Sequence, residues 1–154
     1  MKCHTSTISF RQATREDLPE IVKLLSDDVL GSARDGMQHM PAYEAALIDV
    51  QSQKGNYIIV AVIGNKTVGV LQLTLIPGLS RAGMLRAQIE SVRVCKHHRG
   101  NNIGHQLITH AINEAKTAGC GLVQLTSDKQ RPDAIRFYEK LGFHASHEGM
   151  KLTL

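Results

Sequence analysis

Val92-Arg93-Val94-Cys95-Lys96-His97-His98-Arg99-Gly100-Asn101-Asn102-Ile103-Gly104-His105-Gln106-Leu107 is the stretch on which the reading of this chain turns. A β-branched run stops, a basic segment follows, and an amphipathic helix begins. Residues 84–94 read as a strand, with Gln88, Glu90, Val92 and Val94 expected on one face because side chains alternate along a strand. Ile103, Leu107, Ile108, Ala111, Ile112 and Ala115 recur at helical spacing, so 103–118 reads as a helix closed by Gly119. The first turn of a helix carries unpaired N–H groups and the positive end of the helix dipole, which suit a pyrophosphate. Gly100 and Gly104 remove side chains where a ligand would approach the backbone, and Lys96, His97, His98 and Arg99 add basic groups at the rim. A solvated loop with ordinary surface charges is the alternative that this turn alone leaves open.

Outward from the turn, the flanks alternate between short strands and helices. Upstream, 7–11 reads as a strand. Thr14-Arg15-Glu16-Asp17 is a helix-capping signal, followed by Leu18, Ile21, Val22, Leu24, Leu25 and Val29 at near-helical spacing up to Gly31. Residues 31–41 read as a loop and 43–51 as a shorter helix. The β-branched run 57–63, the Gly64-Asn65 hairpin signal and the run 67–76 form a β-hairpin, and Pro77-Gly78 opens a loop to 84. Downstream, 122–126 is a strand and 133–141 a helix closed by Gly142. Phe143 to the C-terminus is expected to form one or two terminal strands around Gly149. Hairpins followed by a strand–helix–strand crossover indicate a mixed, mostly antiparallel α/β (α+β) sheet with helices on both faces, not a doubly wound one.

Composition narrows the class. The chain has 154 residues, enough for one domain over 1–154 that buries roughly two-thirds of its unfolded surface. No apolar run reaches the ~20 residues of a membrane span, and Met1 to Phe10 has no apolar core of a secretory signal. Cys3, Cys95 and Cys120 are odd in number and lack C-x-x-C spacing, so neither a disulfide framework nor a zinc site is implied, and the cytoplasm is the expected home. The pairs His97/His98 and His144/His147 have no carboxylate or Cys cluster beside them, and no metal is expected. The net charge of +4 raises nucleic acid as a partner, but with no Lys/Arg block, no Trp and 4% aromatics the stacking platform is missing. A basic pocket for one polyanionic ligand needs fewer charges.

At this point the chain resembles the GNAT superfamily of acetyltransferases. The superfamily's turn, Q/R-x-x-G-x-G/A after a V-x-V strand, is similar to Arg99 through Gly104 after Val92 and Val94, with Asn102 where Gly is usual. Asn is the non-glycine residue that best tolerates left-handed angles. A second motif, Ala134-Ile135-Arg136-Phe137-Tyr138-Glu139-Lys140-Leu141-Gly142-Phe143, resembles the superfamily's A-x-x-F-Y-x-x-x-G-F, with Arg131 where Asn is common. The resemblance covers roughly 7–145.

The resemblance implies an acyltransferase, an N-acetyltransferase that moves an acetyl group from acetyl-CoA to a primary amine of a small molecule or protein by direct attack in a ternary complex. It assigns Val92, Val94, Arg99, Gly100, Asn101, Asn102, Ile103, Gly104, His105 and Arg131 to acetyl-CoA. In that picture Val94 acts through its backbone groups, and Cys95 is not a nucleophile. Tyr138 is implied as the acid that protonates the departing thiolate, with a packing role on its helix face as the alternative. Glu90 is the candidate base, often acting through water in such enzymes, with an ion pair to Arg86 or Arg93 as the alternative. The acceptor is expected between 30–43 and 77–86, where Arg34, Asp35, Arg81 and Arg86 lie. A CoA-binding regulatory module without turnover is the rival reading. A homodimer paired through Met150 to Leu154 is also allowed.

Overall fold

The computed structural model of the chain describes residues 7–154, so Cys3 and most of the stretch read for a leader lie outside the described residues. Five strands form one sheet in the order β1 (Ile8–Gln12), β2 (Asn56–Ile63), β3 (Lys66–Ile76), β4 (Arg86–Val94), β5 (Leu122–Leu125). Every pairing is antiparallel except β4 with β5. That exception follows from the connection. β4 and β5 are joined by α5 (Ile103–Thr117), and a helical crossover returns the chain in the same direction.

Two apolar layers sandwich the sheet. On one face Ala87, Ile89, Leu71 and Leu73 pack with Ile103, Leu107, Ile108, Ala111 and Ala115 of α5, joined by Phe137 and Tyr138 of α6 (Pro132–Lys140). The stripe expected on α5 is therefore the one that it buries. Leu107 and Ile108 are wholly enclosed, each contributing roughly 2 kcal/mol. On the other face Val60, Val62 and Val70 meet α1 (Leu18–Ser26) and α3 (Met40–Ser52) through Leu18, Ile21, Leu24 and Leu47.

The start of α1 follows the capping signal. The Thr14 backbone N–H donates to Asp17 Oδ2 at 2.8 Å, and Arg11 Nη1 and Nη2 bind the same carboxylate at 2.6 and 2.9 Å. The Thr67 hydroxyl of β3 adds a fourth donor at 2.9 Å. Asp17 is buried, and the Arg11 bonds outweigh the cost of that burial and hold its carboxyl well below the usual range.

The structure corrects four expectations. α1 ends at Ser26, not Gly31, because Asp28 caps a new turn, α2 (Val29–Ser32), by accepting from the Gly31 N–H at 2.5 Å. Gly31 is required there by close approach, since a Cβ would lie 1.9 Å from the Leu25 carbonyl oxygen. The loop before β4 contains a single turn, α4 (Ser80–Gly83), in which Arg81 and Ala82 take left-handed angles, and β4 starts at Arg86. β4 also carries a bulge. Gln72 pairs with Glu90 but Val70 with Arg93, so one extra residue sits in β4, where Ser91 has φ 55°. Finally, no strand follows β5 among the described residues. The alternation of Met150, Leu152 and Leu154 is there, but the segment lies exposed without a neighbouring strand, and a ladder needs a partner.

Candidate active site

The site begins where β4 and β5 part. Their pairing runs from Arg86 with Leu122 to Ile89 with Leu125, and β4 then continues through five residues, 90–94, with no β5 partner. Backbone donors and acceptors along that edge of β4 face a gap between two parallel strands. The bulge decides what the side chains do. Val92 and Val94 pack with Ala87 and Ile89 on the α5 face. Glu90 and Arg93 lie on the opposite face, opposite Gln72 and Val70. The expected common face of Glu90 with Val94 is thus corrected: one inserted residue reverses every side chain beyond it. The Glu90 side chain is exposed and has no hydrogen bond or ion pair among the described residues, so the expected alternatives of a pair with Arg86 or Arg93 are not formed.

β4 leads into the basic turn. A short 3₁₀ segment (Lys96–His98) is followed by Arg99, Gly100 and Asn101, and Asn102 stands at the head of α5 with φ 61° and ψ 14°. Its left-handed angle is the one that the Asn reading anticipated. The Asn102 side chain makes no cap bond, so the first-turn amides of Ile103, Gly104 and His105 have no partner from it. Gly100, at φ 82°, has nothing within 4 Å of where a Cβ would be. This open, amide-lined turn fits a pyrophosphate, and the β4–β5 gap fits an extended arm carrying its own amides. Gly104 serves packing as well. A Cβ there would meet Phe137 of α6 at 3.4 Å and Val94 at 3.7 Å, ordinary contact distances, so the position is closely packed between α6 and the end of β4 but has room for one more carbon.

Tyr138 lies on α6 between two other rings, edge-on to Phe137 at 5.2 Å and to Phe143 at 5.9 Å. Its hydroxyl bonds to no other side chain or backbone group among the described residues. Burial pushes the phenol above its ordinary value, against the pull of Arg93 and Arg131, so at neutral pH it is a held proton.

Those two arginines form a cluster that the sequence did not announce. Asp28 Oδ2 accepts from Arg131 Nη2 at 2.6 Å and sits 3.4 Å from Arg93 Nε. The Arg93 Nη1 donates to the Val92 carbonyl at 2.9 Å. Burial lowers the Arg93 guanidinium from its ordinary value, with Asp28 opposing and Arg131 adding to the fall. Burial would raise Asp28, but the Gly31 N–H and the two guanidinium groups overcome it and hold the carboxyl below its usual value. Arg131, which the resemblance gave to acetyl-CoA, is placed at the start of α6 and reaches back 103 residues to Asp28. The only sequence signal of the cluster was Arg131 standing where Asn is common.

Of the two acceptor flanks, one is near this cluster and one is not. Arg34 and Asp35 pair at 3.1 Å, Tyr43 donates to Asp35 at 2.8 Å, and both charges act on Arg93. Arg86 binds Gln124 and lies seven residues back along β4 from Arg93, about 23 Å at ordinary strand rise. Met84 packs against Gly121, and the Gly121 N–H donates to Leu85, so the 77–86 segment covers the other end of the sheet.

Comparisons with known proteins agree with this geometry. The Acetyltransferase (GNAT) family profile matches residues 18–143. The aminoalkylphosphonate N-acetyltransferase of Salmonella typhimurium is 30% identical over 137 residues, covering 89% of this chain and 85% of that protein. The glucosamine 6-phosphate N-acetyltransferase of Trypanosoma brucei brucei is 35% identical over 89 residues, 58% of each chain. A Bacillus halodurans C-125 crystal structure, described as a transcriptional regulator, superposes with a TM-score of 0.92 at 47% identity, covering 96% of this chain and all of the other. A family match spanning both the strand-to-helix turn and the α6 motif makes this chain an acetyltransferase of the GNAT family.

Proposed function

We propose that the chain, acting as one domain, is an acetyl-CoA-dependent N-acetyltransferase whose acceptor is the primary amine of a small molecule. The observation that carries this reading is the β4 edge, unpaired from Glu90 to Val94 and running straight into an uncapped helix turn. The Salmonella and Trypanosoma relatives are named for small amines, each bearing a phosphonate or phosphate, which supports a small acceptor over a protein.

When bound, acetyl-CoA supplies an activated thioester. The amides of Ile103, Gly104 and His105, with Arg99, Gly100, Asn101 and Asn102 around them, hold its pyrophosphate, and the backbone of Val92 and Val94 lines its arm. Arg131 borders the same cleft. Glu90, free of ion pairs, accepts the proton that an ammonium must lose before it can attack, directly or through water. Tyr138 keeps its phenolic proton at neutral pH and delivers it to the sulfur as that leaves. The cytoplasm is the proposed location. The exposed alternation of Met150, Leu152 and Leu154, with the outer edge of β5 open, supports a homodimer that pairs this segment across subunits.

The test is release of CoA thiol from acetyl-CoA over a panel of primary amines, with acetyl-CoA binding measured by calorimetry. Thiol release with at least one amine bears out the reading. Tight acetyl-CoA binding with no release across the panel supports the regulatory module instead.

A further inference from the structure

Resting on the acetyltransfer reading above, we infer that Arg93, with Arg131 beside it, is an anion-binding subsite for the acceptor, and that the acceptor carries a phosphate-like group. The charge balance is the first argument. Two guanidinium groups share a single carboxylate, Asp28, and that carboxylate already accepts from the Gly31 N–H. The neighbouring charges cancel among themselves: Arg34 pairs with Asp35, and Lys96 with Asp27 at 3.3 Å. The cluster of two guanidinium groups and Asp28 therefore keeps one positive charge, and Glu90, exposed on the same face of β4, forms no ion pair with it.

The second argument is desolvation. The Arg93 side chain is 13% exposed, and its Nε is buried with no hydrogen bond, since Asp28 at 3.4 Å is out of line for one. A guanidinium offers five N–H donors, and Arg93 commits one of its nitrogens to the Val92 carbonyl. A buried, under-neutralised cation is costly unless an anion completes it. Guanidinium pairs are also the groups best shaped to bind phosphate oxygens in two-point fashion.

The third argument assigns the anion to the acceptor and not to CoA. The bulge at Ser91 turns Arg93 to the face of β4 opposite Val92 and Val94, away from the α5 turn that fits a pyrophosphate. Arg93 shares its face with Glu90, and both guanidinium groups act on the Tyr138 phenol. The subsite therefore shares a strand face with the proposed base and lies within electrostatic reach of the proposed acid, which suits an acceptor bearing both an amine and an anion.

The experiment uses the whole chain with three matched acceptors: 2-aminoethylphosphonate, β-alanine and propylamine. kcat/KM is expected to be at least 30-fold higher for the phosphonate than for propylamine, and Arg93→Gln is expected to cut that ratio at least tenfold, chiefly through KM. Arg93→Lys keeps the charge and should restore part of the ratio, and circular dichroism shows whether each variant is folded. An equal or greater preference for β-alanine would make the anion a carboxylate and overturn the phosphate assignment. In parallel, methylphosphonate is titrated into the protein saturated with CoA and followed by its ³¹P shift. A wild-type response lost in Arg93→Gln, with no turnover of any amine, would keep the anion site and sink the acetyltransfer reading. Turnover of amines with no phosphonate preference and no ³¹P response would do the reverse. An acetyl-CoA affinity that falls tenfold in Arg93→Gln would move the guanidinium to the cofactor and overturn the inference.

Discussion

Two carboxylates stand at the two ends of α1, and they are finished differently. Asp17, at its start, is buried under Arg11, the Thr14 amide and the Thr67 hydroxyl, and one charge meets one charge. Asp28, just beyond its end, is outnumbered by Arg93 and Arg131 and leaves a buried Nε without a bond. A closed pair ties β1, α1 and β3 together and has nothing left to offer a ligand. An open cluster spends stability on holding charge in place. Changes at the first should read out in folding, and changes around the second in turnover.

The largest effect expected anywhere lies beside the open cluster. Tyr138→Phe keeps the ring contacts with Phe137 and Phe143 and removes one hydroxyl, so kcat should fall by roughly 10²- to 10⁴-fold with acetyl-CoA affinity little changed. Single-turnover thiol release with calorimetry checks it, and full activity would return Tyr138 to a packing role. At the closed pair, Asp17→Ala should cost about 2 kcal/mol in denaturant unfolding, because it removes the cap and leaves the Thr14 N–H and the Thr67 hydroxyl without their acceptor, while turnover per folded molecule stays the same. A loss of activity without a loss of stability would erase the contrast.

The closed pair also predicts a pH dependence. The Asp17 carboxyl is held below its unfolded value of about 3.9, so its contribution is complete above that pH and is lost as pH falls through and below it. Midpoints measured from pH 6 downward should drop steeply in the wild type and less in Asp17→Asn. Glu90→Gln sharpens the other side. It should slow turnover roughly tenfold at low pH, with the loss shrinking toward the amine's own pKa, and an unaltered profile would leave that proton to solvent. The smallest effect belongs to Asn102→Gly. Glycine accepts the left-handed angle at no steric cost, so acetyl-CoA affinity should hold within about twofold or improve, and a large loss would make the Asn side chain itself a ligand contact. Gly104→Ala is a cleaner probe of the turn than Gly104→Val, since a Cβ there meets Phe137 and Val94 at ordinary contact distance and only the further methyls of valine would press on them.

What could be read from the chain alone was what depends on neighbours in sequence. The apolar period of α5, the Thr14–Asp17 cap, the Gly64-Asn65 hairpin and the left-handed Asn102 each follow from a few consecutive residues, and each is found. The two motifs put Tyr138 on a helix and the basic turn between a strand and a helix, and both are found there. The tertiary structure decided what depends on a partner far along the chain. The Ser91 bulge exists only against β3, and it put Arg93 and Glu90 on the face away from Val94. The alternation of Met150, Leu152 and Leu154 favours a strand but cannot make one without a neighbour to bond. Asp28 and Arg131 are 103 residues apart, and no local rule brings them to 2.6 Å. Periodicity and capping are short-range energies, written in order along the chain. Strand register and charge balance arise only when distant segments share one volume.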